Sequence, residues 1–152
     1  MYTDSHTHLY LDAFSDDRND MVQRALETGV TKIFLPNIDS TTTQAMFSLS
    51  GQFPGVCFPM MGLHPTSVKE NYREELETIE SLLDRPGIIA IGETGMDLYW
   101  DKTFIREQEM VFKTQIGWAK SLGLPLVIHA RDSFKEIFQA MDETGVDGLR
   151  GV

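Results

Sequence analysis

The sequence predicts an α/β fold, a (β/α)₈ TIM-type barrel of which the 152 residues carry about five of the eight strand–helix units. First, short apolar runs alternate with amphipathic stretches, which is typical of a parallel sheet covered by helices. Second, the strand–helix unit recurs about every 30 residues, and a complete barrel needs ~250 residues. Third, four apolar runs end at a histidine or a glutamate, and parallel strands would bring those ends to one rim.

Five strands are predicted from near-continuous apolar runs. They are Tyr2 to His6, Lys32 to Pro36, Val56 to Gly62, Ile88 to Gly92 and Leu126 to His129. A sixth strand is expected to begin at Leu149 to Val152, so the chain looks cut, and residues 1–152 are predicted to be a single, truncated domain. An open doubly wound sheet is the alternative, because it also places ligands at the carboxyl ends of strands. The His-x-His at the end of the first strand favours the barrel.

Five helices are predicted from stretches whose apolar residues recur at helical spacing. They are expected at residues 16–28, about 40–50, 73–84, about 104–122 and about 133–144. Gly29 and Gly123 should end the first and fourth helices, since glycine adopts the left-handed conformation that closes many helices. Arg85-Pro86-Gly87 should break the third.

Composition limits the functional classes. The net charge is −10, from 23 acidic and 13 basic residues, which argues against sequence-blind DNA binding through a broad basic surface. A small phosphate-bearing substrate remains possible, because bound divalent cations can supply local positive charge. The lone Cys57 indicates a reducing compartment. No signal peptide is visible, and no apolar segment approaches the ~20 residues that a bilayer requires, so a cytoplasmic protein without a membrane partner is expected.

The strand ends carry a set of metal-type ligands. His6 and His8 are two residues apart and should share one face of an extended strand. With Glu93 and His129 they supply three imidazoles and one carboxylate, a set that suits zinc, manganese or a related divalent ion. A carboxylate between two metals would place Glu93 at the centre. Each histidine taken singly could instead be a hydrogen-bonded structural residue.

Two further residues are candidate substrate contacts. His64 lies in Gly62-Leu63-His64-Pro65 and could donate a hydrogen bond to the substrate, or could cap nearby backbone groups. Arg131 follows His129 by two residues and could hold a phosphate through a bidentate contact. Its alternative is a surface ion pair with Asp132 or Glu136.

The residues around these ligands have open roles. Asp4 could orient one of the imidazoles or could cap the end of the first strand. Asp97 could hold its loop or a ligand. Tyr99 and Trp100, on the long connection that follows Glu93, could stack on a base or pack over the barrel mouth.

The motifs that carry these residues closely resemble the TatD family of metal-dependent hydrolases. The matching segments cover essentially the whole chain and are Asp4-Ser5-His6-Thr7-His8-Leu9, Gly62-Leu63-His64-Pro65, Gly92-Glu93-Thr94-Gly95-Met96-Asp97 and Val127-Ile128-His129-Ala130-Arg131-Asp132. The resemblance implies a TIM-type metallo-hydrolase barrel, two divalent ions (Zn, Mg or Mn) and hydrolysis of DNA phosphodiester bonds, often from an end.

The resemblance also implies roles for individual residues. His6 and His8 look like ligands of one metal, Glu93 like the catalytic bridge, and His129 like a ligand of the second metal. His64 is similar to a substrate-contacting position. A further metal-binding histidine is expected after a pair like Gly151-Val152, followed later by an aspartate. The sequence is thus interpreted as the N-terminal part of a deoxyribonuclease that acts on DNA or another phosphodiester.

Two other functional classes stay open. The same barrel and metals could hydrolyse an ester or amide, as in aminoacyl-tRNA deacylation or amidohydrolase chemistry. A chain of this length could also be a non-catalytic binding module. Assays of phosphodiester against acyl substrates separate the first alternative from nuclease activity.

Overall fold

The computed structural model describes residues 1–152 and contains one parallel sheet of five strands in chain order, which confirms the predicted half-barrel. The strands are β1 (Tyr2–Asp4), β2 (Val30–Pro36), β3 (Cys57–Met61), β4 (Ala90–Asp97) and β5 (Leu126–Arg131). The helices are α1 (Arg18–Glu27), α2 (Thr43–Gln52), α3 (Tyr72–Glu80), α4 (Ile105–Leu122) and α5 (Phe134–Thr144). Short 3₁₀ turns occupy Asp12–Phe14 and Pro65–Ser67.

Every neighbouring pair of strands is parallel, so all five carboxyl ends meet at one rim of the sheet. The interior strand β4 is buried along its whole length. The edge strand β1 is exposed at each residue, and β5 is mostly half-buried. The order of burial follows from position, because a central strand has neighbours on both sides and an edge strand has one.

The helix predictions are confirmed to within a few residues at each end. Gly123 ends α4 in the left-handed conformation with φ of 65°, as the sequence predicts. The third helix is shorter than predicted: α3 ends at Glu80, and residues 81–84 continue as turns ahead of the Pro86-Gly87 break.

Two strand predictions need correction. β1 ends at Asp4, so His6 and His8 lie in the loop beyond the strand. The alternation of side chains along a strand therefore does not explain why they lie close together. β4 begins at Ala90 and continues to Asp97, so Glu93 lies inside the strand and not at its end. The pairing of β4 with β5 shifts register between Ile91 and Thr94, the interval that contains Glu93.

Only the start of the predicted sixth strand is seen, as a single bridge to β5. Leu126 pairs with Gly151 in a parallel bridge, and the Leu126 N–H donates to the Arg150 carbonyl at 2.8 Å. The helices are neither long nor apolar enough for any of them to span a bilayer.

Candidate metal centre

Glu93 stands at the centre of the rim. Its side chain is 9% exposed, and each carboxylate oxygen faces a different group of imidazoles. Oε2 faces His6 and His8, and Oε1 faces His64 and His129. The structure therefore brings together all four residues predicted as metal ligands, and it adds His64 to them.

The first group comes from the loop after β1. His6 Nε2 lies 2.9 Å from Glu93 Oε2, and His8 Nε2 lies 3.6 Å from the same oxygen. Their rings meet edge to face with centroids 5.2 Å apart. Although the two residues have left the strand, both imidazoles converge on one carboxylate oxygen.

The second group comes from β5 and the turn after β3. His129 Nδ1 lies 3.1 Å from Glu93 Oε1, and His64 Nε2 lies 3.6 Å from it. The two imidazole nitrogens are 3.2 Å apart. Glu93 thus joins two groups of donor atoms through its two oxygens.

These spacings fit divalent metal ions. In a tetrahedral zinc site with bonds of ~2.0–2.2 Å, neighbouring ligand atoms stand roughly 3.4 Å apart. The distances from Glu93 to His6, His8 and His129 are 2.9, 3.6 and 3.1 Å, close to that edge length. A carboxylate with three imidazoles is also a donor set that zinc and manganese accept.

Hydrogen bonds select the tautomer of His8. Its Nδ1 lies 2.8 Å from the Tyr10 hydroxyl and 3.1 Å from the Pro36 carbonyl. Burial raises the pKa of Tyr10 well above its ordinary value, so the hydroxyl keeps its proton and donates it to the Pro36 carbonyl. Both partners of Nδ1 therefore accept, so Nδ1 carries the hydrogen and Nε2 presents a lone pair toward Glu93.

Asp97 selects the tautomer of His129 in the same way. Its Oδ2 lies 2.9 Å from His129 Nε2, which donates to it, so Nδ1, the nitrogen that faces Glu93, is the one that could release its hydrogen to bind a metal. Oδ1 accepts the backbone N–H groups of Tyr99 and Trp100. Asp97 thus fills both roles left open by the sequence, since it holds the loop and also orients a candidate ligand.

His64 has the opposite tautomer. Its Nδ1 accepts the backbone N–H of Thr66 at 3.1 Å and the Thr66 hydroxyl at 2.7 Å. Neutral His64 therefore carries its hydrogen on Nε2, the nitrogen that faces Glu93 and His129. An N–H group cannot bind a metal, so this geometry favours the predicted role of His64 as a hydrogen-bond donor, and it also caps the turn at residues 65–67.

Glu93 and the imidazoles around it shift one another's pKa values. Burial by itself would raise the pKa of Glu93, but the imidazoles of His129, His64 and His8 outweigh burial and hold it well below its usual range. The hydrogen bond to Glu93 raises the pKa of His129 against the opposing effect of burial, and Asp97 raises it further. Glu93 is consequently an anion at any ordinary pH, as a bridging ligand must be.

Close backbone packing makes Gly95 obligatory. Gly95 has φ of 135°, and a Cβ at this position would lie 2.1 Å from the carbonyl oxygen of His129. The glycine lets β4 and β5 approach where one carries Glu93 and the other carries His129.

Other sequence predictions had mixed outcomes. Asp4 caps its own loop, because its Oδ1 accepts the His6 backbone N–H at 3.2 Å and does not contact an imidazole. Arg131 forms no ion pair with Asp132 or Glu136; its guanidinium lies 4.0 Å from the Tyr99 ring centroid and 5.0 Å from that of Trp100. Those two aromatic side chains are exposed and do not close the barrel mouth.

Three buried residues that position the site were missed from the sequence. They are Tyr10, Asn37 and Gln115. Asn37 follows β2 directly and donates to the Gly62 carbonyl, and a polar residue at a strand end could have revealed it. Gln115 is a polar residue on the apolar face of the predicted fourth helix, and that mismatch could have revealed it; Tyr10 gave no signal.

A parallel α/β sheet with convergent imidazoles and one carboxylate between them at its carboxyl rim is typical of metallo-hydrolase folds and sites. The comparison with known families agrees: residues 3–152 match the family of TatD related DNases. The chain belongs to this family, which confirms the resemblance seen in the motifs.

Individual relatives support the same assignment. The chain is 29% identical over 152 residues to the uncharacterized metal-dependent hydrolase YabD of Bacillus subtilis, covering 100% of this chain and 59% of YabD. It is 30% identical over 138 residues to the 3′-5′ ssDNA/RNA exonuclease TatD of Pantoea vagans, covering 91% of this chain and 53% of that relative.

A solved structure confirms the fold. The crystal structure of YjjV, a TatD homologue of Escherichia coli, superposes with a TM-score of 0.86 at 26% identity, covering 94% of this chain and 56% of YjjV. The chain spans about half the length of the relatives it matches.

Proposed function

We propose that this chain supplies the first half of the active site of a metal-dependent phosphodiesterase that acts on DNA or related single-stranded nucleic acid. The observation that carries the proposal is the position of Glu93, whose two oxygens face two separate groups of imidazoles. The relative from Pantoea vagans is named as an exonuclease on ssDNA and RNA, which supports this choice of substrate.

In this proposal His6, His8, Glu93 and His129 would hold divalent ions, with Glu93 placed between the two groups of imidazoles. Bound divalent ions would stabilise negative charge on the phosphate and lower the pKa of a water molecule. Glu93 keeps the two positions at a fixed separation. Tyr10 and Asp97 present the correct nitrogens of His8 and His129, so the donor atoms are arranged before binding.

His64 has a different part in this scheme. Its Nε2–H is directed toward the space between Glu93 and His129, where it can donate to a phosphate oxygen of the substrate. Arg131, which has no ion-pair partner, lies on the same rim and supplies a cation for a phosphate. Residues 1–152 as one domain of a longer barrel, and a cytoplasmic location, stay predictions.

The central test replaces Glu93 by glutamine, which keeps the shape and removes the charge. We expect metal affinity, measured by titration calorimetry, and hydrolysis of a single-stranded oligonucleotide by the whole protein both to fall at least ~100-fold. The matched control is Glu109→Gln, because Glu109 contacts Lys113 on the outer surface of α4. Wild-type cleavage by Glu93→Gln with metal saturating would refute the bridging role.

A second test separates the donor role of His64 from a ligand role. His64→Gln should leave the affinity for the metal within about threefold of wild type while lowering hydrolysis ~10- to 100-fold, because only the hydrogen bond to the substrate is lost. A loss of metal affinity comparable to that of His6→Gln would make His64 a ligand. Activity on ester or amide substrates in place of oligonucleotides would favour the acyl-hydrolase alternative.

A further inference from the structure

We propose that a cleft beside the metal centre holds an unstacked nucleobase of a single-stranded substrate. The cleft lies between the β4–α4 connection and the turn that follows His64, and Trp100, Phe104 and Lys69 form its outer wall. This inference rests on the proposed function, because it names where part of that substrate would bind.

The cleft is continuous with the candidate metal centre. Its volume is about 270 Å³, and its lining includes Thr66 and Asp97. Thr66 hydrogen-bonds His64 Nδ1, and Asp97 hydrogen-bonds His129 Nε2. A group in the cleft would therefore be separated from the candidate metal centre by the side chains of Thr66 and Asp97.

The outer wall exposes an aromatic surface that the fold does not use. Trp100 is 68% exposed, whereas Trp118, the other tryptophan, is 8% exposed within the core. Phe104 is half-buried at the start of α4, and Val68 and Pro65 give the opposite wall an apolar lining. An exposed ring beside a cleft with apolar and polar lining offers a base both a stacking surface and hydrogen-bond partners, as in single-stranded nucleic acid complexes.

Cations flank the aromatic wall on both sides. The Arg131 guanidinium lies 5.0 Å from the Trp100 ring centroid, and Lys69 Nζ lies 5.5 Å from the Phe104 ring centroid. Lys69 also forms an exposed ion pair with Asp101 at 3.4 Å, a contact that contributes little to stability. In a chain with a net charge of −10, one cation beside the exposed Trp100 and another beside the half-buried Phe104 mark a local site for phosphates around a stacked base.

The geometry selects single strands over duplexes. A base within a duplex is paired and stacked on both faces, so it can enter the cleft only after it leaves the stack. Single-stranded ends meet this requirement without the energetic cost of unpairing. The acidic surface elsewhere also disfavours a long duplex along the protein.

The first experiment measures binding with the chain itself. Trp118→Phe leaves Trp100 as the sole tryptophan, and its fluorescence is titrated with a thymidine trinucleotide, an abasic trinucleotide and a short duplex, with zinc present. We expect quenching by the thymidine trinucleotide and roughly tenfold weaker binding of the abasic one. If Trp118→Phe does not fold, the wild-type signal minus that of Trp100→Phe reports the same event.

Matched variants locate the base. Phe104→Ala should weaken binding of the thymidine trinucleotide roughly tenfold. Phe138→Ala, which removes a ring that is 61% exposed on α5, should leave binding unchanged. Equal binding of the thymidine and abasic trinucleotides, or equal binding of the duplex, would overturn the proposal.

The second experiment separates this inference from the proposed function. In the whole protein, Trp100→Ala should lower cleavage of a single-stranded oligonucleotide roughly tenfold, mainly through KM, and Trp100→Phe should restore it. Cleavage of an oligonucleotide whose terminal residues are abasic should be the same for wild type and Trp100→Ala. If the wild-type protein cleaves neither oligonucleotide with any divalent ion, the proposed function is wrong. If the wild-type protein cleaves both and Trp100→Ala cleaves both equally well, only the proposed base site is wrong.

Discussion

Replacement of Tyr10 by phenylalanine should weaken metal binding without unfolding the protein. Tyr10 is completely buried, and its hydroxyl donates to the Pro36 carbonyl at 2.5 Å while it accepts from His8 Nδ1 at 2.8 Å. The ring can stay in place in the variant, so only the oxygen is lost. The change therefore tests the hydrogen bonds that fix His8 separately from the packing around it.

The hydrogen bonds that remain in Tyr10→Phe determine how much stability and metal affinity should be lost. The Pro36 carbonyl still accepts from His8 Nδ1, which lies 3.1 Å away, so no buried group is left without a partner. Loss of one such hydrogen bond should cost ~1 kcal/mol of unfolding free energy in the metal-free protein. Partners that orient a ligand typically contribute 10- to 100-fold to metal affinity, and with one acceptor remaining we expect ~10-fold, or ~1.4 kcal/mol.

Two measurements test this expectation. Zinc affinity is measured by competition with a chromogenic chelator at fixed pH, and the His8 tautomer is read from its ¹⁵N chemical shifts. Tyr2→Phe is the matched control, because Tyr2 is 68% exposed on the edge strand. If Tyr10→Phe binds zinc as tightly as wild type, or if His8 loses its Nδ1 hydrogen without a change in affinity, the tautomer argument is wrong.

Two further predictions concern stability. Gln115→Met should lower the unfolding free energy, measured by chemical denaturation, by ~2–5 kcal/mol. The buried Gln115 amide accepts the Leu63 N–H at 2.8 Å and donates to the Leu63 carbonyl at 3.1 Å, and both backbone groups would lose their partner. A loss below ~1 kcal/mol would contradict this prediction. Burial raises the pKa of Cys57 to about 11 from 9.0, so a thiol reagent at pH 8 should label it only after unfolding. The raised pKa stabilises the folded protein below the pKa of the unfolded thiol, and this stabilisation is lost as the pH rises to 11. Between about pH 8 and pH 11 the unfolding free energy of the wild type should therefore fall by ~2 kcal/mol more than that of Cys57→Ala. An equal fall in the two proteins would contradict the pKa shift.

The fold was predictable because its signals are local. Apolar periodicity predicted each helix to within a few residues, and Gly123 marked a helix end that the structure reproduces. The convergence of His6, His8, Glu93 and His129 was also predictable, because parallel strands bring their carboxyl ends to one rim. The argument for His6 and His8 from strand alternation was wrong, and what unites them is a shared contact with one carboxylate oxygen.

The roles of the imidazoles were not predictable, since they depend on partners distant in sequence. Tyr10 fixes His8 through the carbonyl of Pro36, and Asp97 fixes His129 across two strands. Thr66 gives His64 the opposite tautomer, although a motif search sees only another histidine at the rim. Which nitrogen of a histidine carries the hydrogen depends on the hydrogen-bond partner of the other nitrogen, and the spacing of residues along the sequence does not reveal that partner.

The distribution of burial gives the centre a rigid middle and less constrained sides. Glu93 lies in β4, whose eight residues are all buried, and its backbone N–H donates to the Asn37 carbonyl at 3.3 Å. His6 follows the exposed edge strand β1, and its side chain is 40% exposed, against 9% for Glu93. His129 lies in β5, whose outer neighbour is only the short bridge at Gly151. The Glu93 carboxylate is therefore ordered by the sheet itself, whereas the imidazoles depend on Tyr10, Asp97 and whatever packs against the two edges. Contacts at those edges should therefore govern the metal affinity of the candidate centre.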